Sequence, residues 1–208
     1  MDSNIKNPTR YAFIDVQNTE TTVSQLLGFV IDWKKMYEYL KKEWNCEKIF
    51  FYSGIAEGDD EKANEYLQLK TLGYEMQPKT YKIYKNPDKL IKIICSKCSN
   101  QIDYTINGGV RWKSNCDAEL SVDATNLAKE GLEFIIFTGD GDFEYVIRNA
   151  IEKGVKVYVV SSPKKIRTSA RYYISRFSTK LRDLIAEKKD SVIFLDINDW
   201  KMKIKKDI

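Results

Sequence analysis

Histidine is absent from all 208 positions of this chain. Every mechanism that needs an imidazole goes with it: a Ser-His-Asp triad would have no base, and a histidine-ligated zinc hydrolase no ligands. Long apolar runs are absent too, none approaching the roughly 20 residues that cross a bilayer. The opening MDSNIKNPTRYAF has no apolar core of the kind a signal peptide carries. A cytoplasmic protein with no membrane partner is the resulting expectation. Cysteine is scarce, with four in the chain, and in a reducing compartment these read as thiols or metal ligands before disulfides. Charge of one sign is scarce as well: the formal net charge is only +4, which by itself says little about partners.

What is present is enough hydrophobic material for a sizeable core. At 43% hydrophobic and 12% aromatic residues the chain is not of the disordered class, and its length suits one domain over residues 1–208 with a modest insertion. The charge is unevenly spread. Residues 163–182 hold Lys164, Lys165, Arg167, Arg171, Arg176, Lys180 and Arg182 with no acid, so this segment carries +7 against +4 overall and the remainder is net −3.

The pattern is organised around residues 132–143, LEFIIFTGDGDF. A short apolar run bounded by glycine reads as a strand buried on both faces, and the spacing over 143–153 predicts a helix after it. Strands are likewise predicted over YAFIDV (11–16), KIFFY (48–52), 74–76, KVYVV (156–160) and SVIFL (191–195), and helices over 31–44, 59–72, 117–129 and 174–188. Strands alternating with helices imply βαβ units, a mostly parallel sheet and a three-layer α/β fold. Residues 78–115 break that rhythm. There TYKIY, LIKIIC and DYTIN alternate apolar and polar residues, separated by Asn86-Pro87, Ser99-Asn100 and Asn107-Gly108-Gly109. This is hairpin chemistry, and an antiparallel hairpin insertion is expected.

Carboxylates mark several element ends. Asp15 closes the first strand with Asn18 just beyond, Asp117 opens a helix, and Asp140 and Asp142 follow the strand at 132–137, where Thr138 adds a hydroxyl. The carboxyl ends of parallel strands are where ligands bind. Carboxylates gathered there repel one another, so a fold that gathers them either raises a pKa or holds a divalent cation. Taken singly, Asp140 or Asp142 reads equally well as a helix cap. Glu119 and Asp123, four apart on one helix, read as part of a solvated face.

Together, Asp15-x-x-Asn18, Asp117 with Asp123 six residues on, and Thr138-Gly139-Asp140-Gly141-Asp142-Phe143 resemble the NYN-domain family, PIN-like metal-dependent ribonucleases. The resemblance runs from residue 11 to 195 with the insertion set aside. It implies a three-layer PIN-like (Rossmannoid) α/β fold with a mostly parallel sheet of about five strands. It also implies Asp15, Asp117 and Asp140 as ligands of Mg²⁺ or Mn²⁺, Asn18 and Asp142 as supporting catalytic positions, and single-stranded or structured RNA as substrate. The activity implied is phosphodiester hydrolysis by a metal-activated water, which needs no side-chain nucleophile. The competing expectation is a non-catalytic RNA-binding or scaffold protein that retains the acidic pocket.

Two further segments carry chemistry. Residues 163–182 interleave their cations with Tyr172, Tyr173 and Phe177, the composition expected where phosphates are neutralised and unstacked bases meet aromatic rings. Lys164, Lys165, Arg167 and Arg171, which follow the KVYVV strand, are the expected substrate-binding residues; the alternative is a helix with core aromatics and solvated cations. Cys95-Ser96-Lys97-Cys98 has the spacing of one zinc knuckle, whereas a closed structural zinc site takes four ligands. A structural Zn²⁺, a hairpin with two free thiols and a zinc shared between chains all stay open, as does a homo-oligomer.

Overall fold

The structure, a computed structural model, describes residues 8–76, 78–81, 83–112, 116–167 and 173–207. Strand β1 (Thr9–Asp15) runs directly into helix α1 (Val16–Thr22), followed by α2 (Trp33–Lys42), β2 (Cys46–Tyr52), the short β3 (Gly54–Ala56), α3 (Asp60–Leu72) and β4 (Glu75–Met76). The insertion comprises β5 (Lys79–Tyr81), β6 (Ile83–Lys85), β7 (Lys89–Ile94), β8 (Gln101–Ile106) and β9 (Val110–Trp112). Then come α4 (Asp117–Leu127), β10 (Leu132–Phe137), α5 (Glu144–Glu152), β11 (Lys156–Ser161), β12 (Lys165–Arg167), β13 (Tyr173–Ser175), α6 (Thr179–Glu187), β14 (Val192–Asp196) and α7 (Lys201–Ile204).

Six strands form the central sheet in the order β14-β11-β10-β1-β2-β4, and each neighbouring pair is parallel. From β1 the chain works outward through β2 to β4. It then returns to the other side of β1 as β10 and works outward through β11 to β14. The direction of winding therefore reverses between β1 and β10, and the carboxyl ends of those two strands flank the crevice where such sheets bind ligands. Ile14 pairs in register with Phe137, so Asp15 and Thr138 leave the sheet side by side.

Strand periodicity places alternate residues on opposite faces, and both faces of this sheet are covered. Ala12, Ile14, Ile49, Phe51, Ile135 and Phe137 pack with Trp33, Met36 and Leu40 of α2 and with Trp200 and Ile204 near the chain end. Phe13, Phe134, Ile136, Val157 and Val159 pack on the other side with Leu120 of α4, Ile147 of α5, and Leu181 and Leu184 of α6. Burial on both faces is why these strands read as near-continuous apolar runs rather than alternating ones. Phe13 and Phe134 are fully buried with ring centroids 4.8 Å apart, and truncating either to alanine costs about 3–5 kcal/mol.

Two local expectations are corrected by the structure. The helix expected over 174–188 begins at Thr179: Tyr173–Ser175 is instead a strand paired antiparallel with Lys165–Arg167. Ser178 sets the boundary, its Oγ accepting from the Leu181 amide at 3.2 Å as an N-cap. The breaks at Asn86-Pro87 and Asn107-Gly108-Gly109 are not hairpin turns but face each other midway along one two-stranded arm. The Asn86 amide donates to Gly109 O at 2.9 Å, and the Gly108 amide donates to the Asp88 carboxylate at 3.0 Å. Within the arm, β6 pairs antiparallel with β9 and β7 with β8, while β5 at its base pairs parallel with β3.

Candidate active site at the sheet switch point

Asp15 is the last residue of β1 and caps α1, its Oδ1 accepting from the Asn18 amide at 3.1 Å. Its Oδ2 faces the neighbouring strand end, where the Thr138 hydroxyl donates to it at 3.4 Å. The Thr19 hydroxyl anchors the same turn by donating to Asp15 O at 2.6 Å. Asn18 reaches across to the second loop: its Oδ1 accepts from the Gly139 amide at 2.9 Å. The loop then folds on itself, the Asp140 amide donating to Thr138 Oγ1 at 3.1 Å and the Asp142 amide to Asp140 Oδ1 at 3.0 Å. Asp140 thus caps the short turn Gly141–Phe143 that leads into α5, so the cap reading and the site reading describe the same side chain.

Glycine is required in this loop by close approach rather than by unusual dihedrals. A Cβ on Gly139 would lie 1.8 Å from Arg176 O, and one on Gly141 would lie 2.8 Å from Ser178 Oγ. The Ser178 amide donates to Gly139 O at 2.9 Å, which seats the start of α6 against the acidic loop.

The electrostatics follow from that packing. Asp15 is half-buried, and burial pushes its carboxyl up from an ordinary 3.8 to about 7. The Asn18 amide and the Thr138 hydroxyl oppose the rise, while the negative charges of Asp117 and Asp140 add to it. Three carboxylates therefore share one field. Asp117, at the start of α4, approaches from the α4 side of the sheet. Among the described residues no three acidic or thiol groups are already drawn together into a chelate. The donor set nevertheless fits a hard divalent cation: it is all oxygen, its charges repel one another, and a positive ion is what would relieve the raised proton affinity of Asp15.

The remaining sequence-identified residues are divided between this rim, the body and the arm. Asp142 is exposed, with Lys180 Nζ 3.8 Å from its Oδ1. Lys164, Lys165 and Arg167 are exposed on the segment that leaves β11 at the same sheet edge, with Tyr173 on the paired strand. Arg171 lies outside the described residues. Asp123 accepts from the Tyr52 hydroxyl at 2.9 Å, and Glu119 pairs with Lys79 at 2.8 Å. Cys95 and Cys98 stand far along the chain on the exposed arm, whereas Cys46 and Cys116 are buried in the body; burial pushes the Cys46 thiol up to about 12 and raises that of Cys116. Sequence reasoning missed Thr19 and Ser178 as supports of this loop, and gave no sign that Ser161 and Arg176 pack against Gly139. Among the described residues Ser161 Oγ and Arg176 Nε are buried without a hydrogen-bond partner, and both residues crowd Gly139. The signal that could have found them is the glycine itself, which implies close backbone neighbours without naming them.

A parallel sheet covered on both faces, with carboxylates at its switch point, defines a PIN-like α/β protein. The chain belongs to the NYN domain family, whose model matches residues 11–182. That family is of nuclease type, generally RNA-related, and its members typically use divalent metals. The chain is 24% identical over 174 residues to the "Low amplitude and bright protein LabA" of Synechococcus elongatus, covering 82% of this chain and 83% of the relative. Among solved structures it resembles a protein of unknown function, VPA0982 of Vibrio parahaemolyticus, at a TM-score of 0.60 and 20% identity over 95% of this chain and 98% of the other. That second likeness is one of fold. Among the described residues no helix is long and apolar enough to cross a membrane.

Proposed function

We propose that this protein is a divalent-metal-dependent ribonuclease that hydrolyses RNA phosphodiester bonds. The observation that carries the reading is Asp15: a carboxylate at the switch point whose charge is opposed by burial and by Asp117 and Asp140 together. Asp15, Asp117 and Asp140 would hold Mg²⁺ or Mn²⁺. When bound, such an ion supplies a water of lowered pKa and neutralises charge on the phosphate.

The chain's own groups position the reaction. Asn18 is fixed by the Gly139 amide, which leaves its side-chain nitrogen as a donor at the rim. Asp142, at the outer end of the loop, accepts a proton or orients a water. Lys164, Lys165 and Arg167 neutralise flanking phosphates, and the exposed ring of Tyr173 offers a face to an unstacked base.

The test is cleavage of single-stranded and structured RNA in Mn²⁺ and in chelator. Wild type cleaves only with Mn²⁺. Asp140→Asn, which keeps an oxygen to cap the Asp142 amide, falls to the level of the chelator control with an unchanged melting temperature. Full Mn²⁺-dependent activity in that variant overturns the assignment. RNA bound but uncut by wild type in Mn²⁺ would instead make the protein a scaffold that retains the acidic pocket.

A further inference from the structure

The arm spanning residues 83–112 carries two features that neither the body nor the acidic rim uses. Its outer strand pair sorts side chains by face: the register sets Ile91 against Tyr104 and Ile93 against Ile102, with Ile106 on the same side. All five are 40–58% exposed. Lys89 stands at the base end of that face, and the opposite face carries Lys92, Gln101, Asp103 and Thr105 together with the exposed Leu90 and Ile94. A two-stranded sheet with one apolar and one largely polar face is built to lay the apolar face against something.

At the tip, Cys95-Ser96-Lys97-Cys98 reverses the chain. The Cys95 amide donates to Asn100 O and the Ser99 amide to Cys95 O, each at 2.9 Å, with Ser99 in the left-handed region at φ 56°. Both cysteines therefore sit on one tight turn, Cys98 exposed and Cys95 half-buried.

Two thiolates are half of a closed zinc site, which takes four ligands. Among the described residues nothing supplies the other half. The chain has no histidine, all four of its cysteines are described, and Cys46 and Cys116 are buried in separate core clusters on opposite faces of the sheet. Among the described residues no third cysteine, aspartate or glutamate joins the pair. A two-fold axis through the tip supplies the missing ligands from an identical knuckle, as isologous contacts do.

We propose that two copies of this chain share one zinc ion, held by Cys95 and Cys98 of each, with the apolar faces of the two arms covered in the same contact. Four thiols release four protons to solvent as four Zn–S bonds form. The two negative charges that result lie beside two Lys97 ammonium groups, one from each turn. Thiolates select a soft ion and the acidic rim a hard one, so this site is independent of the proposed catalytic metal.

The experiment uses the full chain, purified under a phosphine reductant without chelator, with native mass spectrometry and light scattering as readouts. The expected species is a dimer with one zinc per two chains. A strong zinc chelator converts it to monomer, and Cys95→Ser with Cys98→Ser is monomeric and zinc-free with the melting temperature of the body unchanged. Replacing zinc by cobalt gives the absorption of a tetrathiolate. A monomer with one zinc per chain, no zinc retained after an equivalent is added, or a dimer that survives both chelator and the double serine variant overturns the proposal.

Discussion

Asp15 holds its place against its own charge. In the unfolded chain its carboxyl ionises at the ordinary 3.8, whereas in the fold burial carries it to about 7. Between those values the native state keeps a proton that the unfolded state has lost, so stability falls as pH rises from about 4 to 7 and stays lowered above it. The penalty at pH 8 is about 2–4 kcal/mol. Asp15→Asn, which keeps an acceptor for the Asn18 amide, should therefore be the more stable protein at pH 8 in chelator, and should match wild type near pH 4. Urea melts at the two pH values read this directly; a wild type at least as stable as the variant at pH 8 would remove the argument. Adding Mn²⁺ at pH 8 should stabilise wild type and leave the variant unmoved, because only an ionised carboxylate gains from the cation. At this scale the sequence offered Asp15, Asn18, Asp117, Asp140 and Asp142 as candidates, from their places near element ends together with the family resemblance. Thr138, whose hydroxyl opposes the rise at Asp15, was legible beside Asp140. The roles of Thr19 and Ser178, and the packing of Arg176 on Gly139, were not, since each depends on a contact that no spacing encodes.

Among the elements, the pair β12–β13 differs most from what its sequence implies. Ile174, Phe177, Leu181 and Leu184 follow a helical spacing straight through Ser178, yet Phe177 is fixed against Phe194 at 4.8 Å and Ser178 starts the helix anew. A capping serine inside an apolar rhythm ends one element and begins another, and periodicity is blind to that. Lys165 and Arg167 thus stand on a strand rather than a helix, on the segment that leaves β11 at the sheet edge that carries the acids. Replacing both by glutamine should weaken RNA binding more at low salt than at high salt. It should also reduce the slope of log affinity against log salt by about 1.4 for a single-stranded RNA. A slope identical to wild type in a filter-binding titration would place phosphate contacts elsewhere.

Over the whole molecule, body and arm are built on different principles. The body buries both faces of its sheet; every described residue of β7 and β8 is exposed. Asn86 and Gly109 are already hydrogen-bonded across the arm, so joining them through a short turn in place of residues 87–108 should leave the body's melting temperature within about 3 °C of wild type, as followed by circular dichroism. Loss of the cooperative transition would show that the arm supports the core. The sequence by itself determined that the chain forms a βαβ sheet with an antiparallel insertion, and that acids sit at strand ends. Those properties are local, fixed by periodicity, glycine and charge within a dozen residues. Only the tertiary structure decided the strand order, because the return of β10 to the side of β1 is a pairing across more than a hundred residues with no local signature. That return creates the switch point. It turns LEFIIFTGDGDF from a strand with an ordinary cap into one wall of a crevice opposite Asp15, where burial and neighbouring charge give the carboxylates their chemistry.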